Sequence, residues 1–352
     1  MPHSDIHFEQ NAATGLITLD RPDALNALSI DMVTVFREKL ARWANDRSIT
    51  HVILCSSSPR AFCAGGDIKY ARQLALSDDV DGATPYFRAE YLADIALIKF
   101  NKPVIALCDG IVMGGGAGLS QHSQHIVMTE ATSFAMPETA IGLFPDVGAS
   151  LFLGRCSKSI ARLLGMTGYR MSSADCLSLG LATANVPSGS MFSLKQKLLH
   201  CDVDDIDAVI KLFQTNAGLS QIVAQRELVD HIFACGPVES MRDRAVSMAE
   251  KMPHNKLLDE VAIAFKTRCP ISIKLFDRLL TEVEDFNDPV SAIELDFHLA
   301  LQMARRTDFV EGIRAAVVDK DQAPQWEPNT LEAVTETMLD AMFESRGLSD
   351  LL

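Results

Sequence analysis

No apolar run in the sequence approaches the ~20 residues that cross a bilayer. The first ten residues, MPHSDIHFEQ, hold neither a basic stretch nor an apolar core. Neither a membrane span nor a secretory signal is expected, and the expected compartment is the cytoplasm. None of the eight cysteines, at 55, 63, 108, 156, 176, 201, 235 and 269, forms a CxxC pair, and most lie in apolar runs. Reduced, buried thiols are expected rather than a disulfide framework. His122 and His125 have no third ligand nearby, so a zinc site is not expected and both are read as structural or helix-end residues. Basic residues are also short: 32 Lys and Arg stand against 46 Asp and Glu, for a net charge of −14. Nucleic acid is bound by neutralising its phosphates, so it is not an expected partner. A GxSxG nucleophile motif is missing too.

What is present is 352 residues, 48% of them hydrophobic, enough for a globular chain of two domains or one domain with a large extension. The stretch 105–150 organises it. Val104–Cys108 is an apolar run ended by Asp109-Gly110, which reads as a buried strand. Gly114-Gly115-Gly116 follows and opens a helix-like segment at 117–123. Such a loop exposes backbone N–H groups at a positive dipole end, which suits a developing oxyanion; a plain strand-to-helix turn is the other reading. The dinucleotide fingerprint fails for want of a correctly spaced third glycine, and Gly116 and Ala117 stand where a phosphate loop needs Lys and Ser/Thr. Further on, Glu138 and Asp146 each follow an apolar residue and a proline, and each sits among Ala, Ile, Leu, Phe and Val. Apolar surroundings raise a carboxyl pKa and keep it available for proton transfer near neutral pH. Asp146 can alternatively cap a helix over 147–155.

Elsewhere, 16–20 alternates as a strand, and Ser29 caps a helix whose stripe Met32, Phe36, Leu40 and Trp43 is core. Residues 51–55 read as a buried parallel strand, and Gly65-Gly66 before Asp67 forms a second bare backbone segment. A polar, acidic loop at 77–84, expected to be mobile, leads to Pro85 and a helix with Phe87, Tyr91, Ile95 and Ile98 on one face. Short helices are expected at 158–168, 172–180 and 191–199, with a strand at 182–186. Beyond about residue 203 the spacing is helical throughout, with breaks at Gly218, Gly236-Pro237, Pro253, Pro270, Pro289 and Pro324. The expected division is 1–202 for the α/β core and 203–352 for a helical C-terminal region.

Four segments, RPDALNALS (21–29), AFCAGGDI (61–68), GIVMGGGAGLS (110–120) and MPETAIGLFPDVGAS (136–150), resemble the crotonase, or enoyl-CoA hydratase/isomerase, superfamily. PETAIGLFPDVG, with DFVEGIRAAVVDKDQAPQWEP (308–328), resembles its 3-hydroxyisobutyryl-CoA hydrolase branch. The resemblance implies an α/β, crotonase-like spiral of repeated ββα units with a helical C-terminal region. It also implies hydrolysis of a short 3-hydroxyacyl-CoA thioester, with 3-hydroxyisobutyryl-CoA as the leading substrate. By motif position, Gly66 and Gly115 supply the N–H groups of an oxyanion hole, and Glu138 and Asp146 are catalytic. Glu90, Gly115, Glu138 and Asp146 contact substrate, while Ala24, Ala64, Asp67 and Ile68 bind coenzyme A. Whether Glu138 is nucleophile or general base stays open. No metal or cofactor is implied, coenzyme A being part of the substrate. The expected partner is the acyl-CoA, with neither nucleic acid nor membrane. In the family the C-terminal helices cover the site or join subunits, which leaves a homo-oligomer as an expectation. Arg305, Arg306, Arg314, Lys320 and Trp326 offer a basic side for coenzyme A phosphates, or simply a solvated surface. One departure matters: hydratases carry glutamate after the glycine cluster, as GGGCE, where this chain has GGGAG with Gly118. A hydratase or isomerase of the same fold and a non-catalytic acyl-CoA-binding protein are the alternatives.

Overall fold

The computed structural model describes residues 5–77, 82–344 and 351. In chain order its strands are β1 (Ile6–Asn11), β2 (Thr14–Leu19), β3 (His51–Ser56), β4 (Ala61–Cys63), β5 (Val104–Cys108), β6 (Ile111–Met113), β7 (His125–Met128), β8 (Ser133–Ala135) and β9 (Ala184–Asn185). β3 and β5 are apolar runs without polar alternation, the pattern of strands buried on both faces. A six-stranded sheet has the order β1-β2-β3-β5-β7-β9 and a smaller one β4-β6-β8. Only the β1–β2 hairpin of the large sheet is antiparallel; the later pairs are parallel. From β3 to β8 the chain lays successive strands alternately in the large and small sheets, which is the spiral of ββα units that the resemblance implied.

Two compact units emerge, and they interleave along the sequence. One comprises Met1–Asp67, Leu92–Phe134 and Met171–Ala224. Its core sets Leu16, Ile53, Ile105, Leu107 and Val127 of the sheet against Leu194, Leu198 and Ile210 of the helices Met191–Leu198 and Ile206–Phe213. Each such side chain contributes roughly 1.5–3 kcal/mol by leaving water. Ser29 caps the helix Ile30–Asn45 by accepting from Met32 N, and Met32, Phe36, Leu40 and Trp43 are buried as their spacing predicts.

The other unit comprises Ile68–Tyr91, Ala135–Arg170 and Gln225–Leu352. At its centre the helix Lys158–Thr167 is buried from Ser159 onward and so needs apolar neighbours on every side. The helix Pro270–Glu282 supplies some of them: a Cβ on Gly165 would lie 1.9 Å from the Phe276 ring, and Arg162 Nε donates to Asp277 at 2.7 Å. This is why the units do not part at residue 202: segments 68–91 and 135–170 pack with the C-terminal helices, while 171–224 packs with the sheet. Pro270 and Pro289 open their helices at the first turn, where a missing N–H costs nothing. Of the polar loop expected at 77–84, residues 78–81 lie outside the described residues.

Candidate active site

The glycine segments meet within the first unit. After the turn Pro22–Ala24, Leu25 and Asn26 adopt left-handed backbone, and Asn26 Nδ2 donates to the carbonyls of Ala61 and Phe62. Ala64 N then donates to Leu25 O at 3.0 Å, Leu28 N to Gly65 O at 2.9 Å and Asp67 N to Leu28 O at 2.9 Å. In such a parallel bridge the central residue, Gly66, turns its own N–H away from Leu28. Gly65, with φ of +111°, faces the second segment: a Cβ there would lie 3.3 Å from Met113 O and 3.7 Å from Gly115 N. Gly115 is the first residue of the helix Gly115–Gln121, and the Gly118 N to Gly114 O bond begins the helical ladder after it. Its N–H therefore belongs to the unpaired first turn. The same corner gathers Ala24, Ala64 and Asp67, with Arg21 Nη1 2.8 Å from Asp67 Oδ2. Ile68 opens the next helix, Ile68–Ala75.

The carboxylates meet within the second unit. Glu90 lies on the helix Thr84–Ile98, Glu138 opens the single turn Glu138–Ile141, and Asp146 follows Pro145. All three are buried, and each is at most 7% exposed. Tyr91 donates its hydroxyl to Asp146 Oδ2 at 2.5 Å, while Glu138 Oε2 has no hydrogen-bond partner among the described residues. Burial, then the charge of Asp146, pushes Glu138 well above the usual carboxylate range. The same two causes raise Glu90 to about 8. Asp146 rises to about 6, through burial, and Tyr91's hydrogen bond holds it lower than burial alone would. Asp146 therefore ionises before Glu90, and its charge adds to burial in raising both Glu90 and Glu138.

The capping reading of Asp146 is corrected. The helix is Ala149–Gly154, not 147–155, and its N-cap is Gly148 with no side-chain cap. Val147 and Gly148 both take positive φ, so the chain turns twice before the helix begins and carries the Asp146 side chain away from the helix N–H groups. The carboxyl binds Tyr91 instead. Of the five C-terminal residues offered as a basic side or a solvated surface, Arg306, Arg314 and Trp326 have partners within this chain. Arg314 is held by Glu311, Asp319 and Asp321, Arg306 by Asp308, and Trp326 Nε1 donates to Thr267 O at 2.9 Å. These guanidinium groups are already engaged by carboxylates.

One acidic residue escaped the sequence reading. Asp296, on the helix Pro289–Ala304, is 0% exposed, and its Oδ2 accepts from Gly148 N at 2.8 Å. The signal was a lone aspartate three residues after Ile293 and four before Ala300, on what is otherwise an apolar face. Among the described residues no group of His, Cys, Asp or Glu is arranged to hold a metal ion. Cys63 packs at its turn as expected, with Sγ 3.1 Å from Asn26 O.

Comparison with known proteins gives a consistent picture. Residues 14–343 match the family described as enoyl-CoA hydratase/isomerase. The mitochondrial 3-hydroxyisobutyryl-CoA hydrolase of Gallus gallus is 35% identical over 99% of this chain and 91% of its own length. The protein of the same name from Homo sapiens is 34% identical over 99% and 90%. Among solved structures, an enoyl-CoA hydratase from Rhodobacter sphaeroides superposes with a TM-score of 0.88 at 30% identity, covering 97% of both chains. A carnitinyl-CoA dehydratase from Mycobacterium thermoresistibile gives the same TM-score and identity over 97% of this chain and 96% of its own.

Proposed function

The chain belongs to the enoyl-CoA hydratase/isomerase family, and from that membership we propose that it hydrolyses a short 3-hydroxyacyl-CoA thioester, with 3-hydroxyisobutyryl-CoA the first substrate to test. The observation that carries this reading is the match, over nearly the whole chain, to relatives named as hydrolases of that thioester. The carboxylate cluster supports it: three carboxyl groups are buried, the charge of Asp146 helps raise Glu138 and Glu90, and Asp146 accepts from a tyrosine hydroxyl.

In this reading the Gly66 and Gly115 N–H groups take the thioester oxygen as negative charge develops on it. Losing one such donor costs about 2.7–4 kcal/mol of barrier, which makes the pair a principal contribution. Glu138, once ionised in its apolar setting, is a stronger base than a solvated carboxylate. It either removes a proton from water as the new C–O bond forms, or attacks the carbonyl carbon to give an anhydride that water then opens. In both routes the C–S bond breaks, the sulfur leaves as thiolate and takes up a proton, and one water is consumed. Asp146 orients the substrate hydroxyl or exchanges protons, Glu90 binds on the acyl side, and Ala24, Ala64, Asp67 and Ile68 hold coenzyme A. No cofactor takes part.

A second reading, hydration of an enoyl-CoA, is favoured by the likeness to the solved enoyl-CoA hydratase from Rhodobacter sphaeroides. It requires two carboxylates, yet Gly118, buried within the helix Gly115–Gln121, stands where hydratases carry the second. Compartment is a separate proposal: the sequence reading is cytoplasmic, the relatives are named mitochondrial, and fractionation of the tagged chain decides. No described helix is long and apolar enough to cross a membrane. The activity test is thiol release from 3-hydroxyisobutyryl-CoA and 3-hydroxypropionyl-CoA, expected to proceed unchanged in chelator. Hydration of crotonyl-CoA without thiol release would overturn hydrolysis in favour of the second reading.

A further inference from the structure

Asp296 is a burial that packing alone does not explain. Its helix buries Ala292, Ile293, Leu295, Phe297, Leu299 and Ala300 around it, and an apolar side chain would fit that company better. Its Oδ2 accepts from Gly148 N, and Oδ1 has no hydrogen-bond partner among the described residues. Gly148 lies in an unusual turn. Val147 has φ of +51° and Gly148 φ of +79°. A β-branched residue disfavours the left-handed region strongly, so Val147 stays there only because its surroundings impose it. It is fully buried.

The turn directly follows Asp146, whose carboxyl accepts from the Tyr91 hydroxyl. The Tyr91 ring in turn rests edge-on against Phe297, 6.1 Å between centroids at 82°. Two consecutive residues of one helix therefore secure Asp146, Asp296 through the backbone after it and Phe297 through the tyrosine that binds it. We propose that Asp296 is a positioning residue, which pins the left-handed Val147–Gly148 turn through the Gly148 N–H and thereby aims the Asp146 carboxyl. Without that acceptor, Val147 relaxes toward negative φ, the 146–147 peptide swings, and Asp146 leaves the Tyr91 hydroxyl. Burial raises Asp296 well above the usual carboxylate range, the Gly148 N–H acts the other way, and the Asp146 charge adds to the rise. An amide can take the place of the Asp296 carboxyl.

For turnover the proposal rests on the hydrolase reading; for the turn it does not, and two readouts separate them. In Asp296→Ala, kcat should fall by about 10²-fold with KM little changed, the size of effect a misplacement of about 1 Å produces. Amide exchange at Gly148 should accelerate by more than about tenfold. Asp296→Asn, which keeps an acceptor for Gly148, should retain both within that same factor. On an Asp146→Asn background, Asp296→Ala should lower kcat no further, because the residue it positions is already disabled. The proposal is overturned if Asp296→Ala leaves kcat or Gly148 exchange unchanged, or lowers kcat equally on the Asp146→Asn background. If the alanine variant does not fold, the asparagine variant decides: loss of kcat beyond tenfold in folded protein overturns the proposal, and retention with Gly148 protected supports it. A wild type that releases no thiol removes the hydrolase reading, while the exchange comparison still tests the turn.

Discussion

Glu90→Gln should stabilise the protein, and by an amount that depends on pH. Burial and the Asp146 charge raise Glu90 from 4.5 to about 8, so the folded protein keeps a proton that the unfolded chain has already released. Folding is then favoured in full below about pH 4.5 and progressively less until the folded group also ionises near pH 8. At 1.36 kcal/mol per unit, the burden at pH 7 is about 3 kcal/mol, and its plateau above pH 8 is about 5 kcal/mol. Glutamine carries no such burden and has nearly the same volume. With an unfolding entropy near 2.1 cal/mol/K per residue, 3 kcal/mol corresponds to about 4 °C in Tm for a chain of this length. Thermal unfolding of both proteins from pH 5 to 9 is the assay. The variant's advantage should be close to 1 °C at pH 5 and grow to several degrees by pH 8. On an Asp146→Asn background the advantage should shrink, since one cause of the shift is gone. A melting difference that stays flat across this range, or a variant less stable than wild type at pH 8, would show that Glu90 is not held protonated and refute the reasoning.

Glu138→Gln should leave the fold intact and lower thiol release by about two or more powers of ten, the scale for a positioned proton-transfer group; near-normal turnover removes Glu138 from the mechanism. Tyr91→Phe removes the hydroxyl that favours the ionised form of Asp146, so the Asp146 pKa should rise and the acid limb of kcat/KM move to higher pH. An unmoved limb argues that Asp146 ionisation is not what the limb reports. Asp146→Asn cannot act through a lost cap, since Gly148 is the N-cap. Turnover should drop by about two powers of ten without a fall in Tm above pH 6, where the buried charge is a cost; turnover near wild type would leave Glu138 to work without this partner.

What the sequence determined alone is what short-range physics determines. Apolar runs at 51–55 and Val104–Cys108 made strands, Ser29 capped the helix Ile30–Asn45, and Pro270 and Pro289 opened theirs, because periodicity, capping and the proline ring act within one or two turns. The family was legible because its four segments are contiguous strings, and the glycines and Glu138 stand inside them. Asp146, inside the last of those segments, and Glu90, outside all four, could be named from the resemblance, but not the manner in which they are held. Tertiary structure decided that Asp146 binds Tyr91, 55 positions away, rather than the helix beside it, and that Gly148 binds Asp296, 148 positions away. It also engaged Arg314 and Arg306 with carboxylates and packed segment 135–170 with the C-terminal helices. No local pattern encodes such pairs. They follow from which buried surfaces pack together, and a carboxyl group buried by that packing takes its pKa from whichever charges and donors are buried with it.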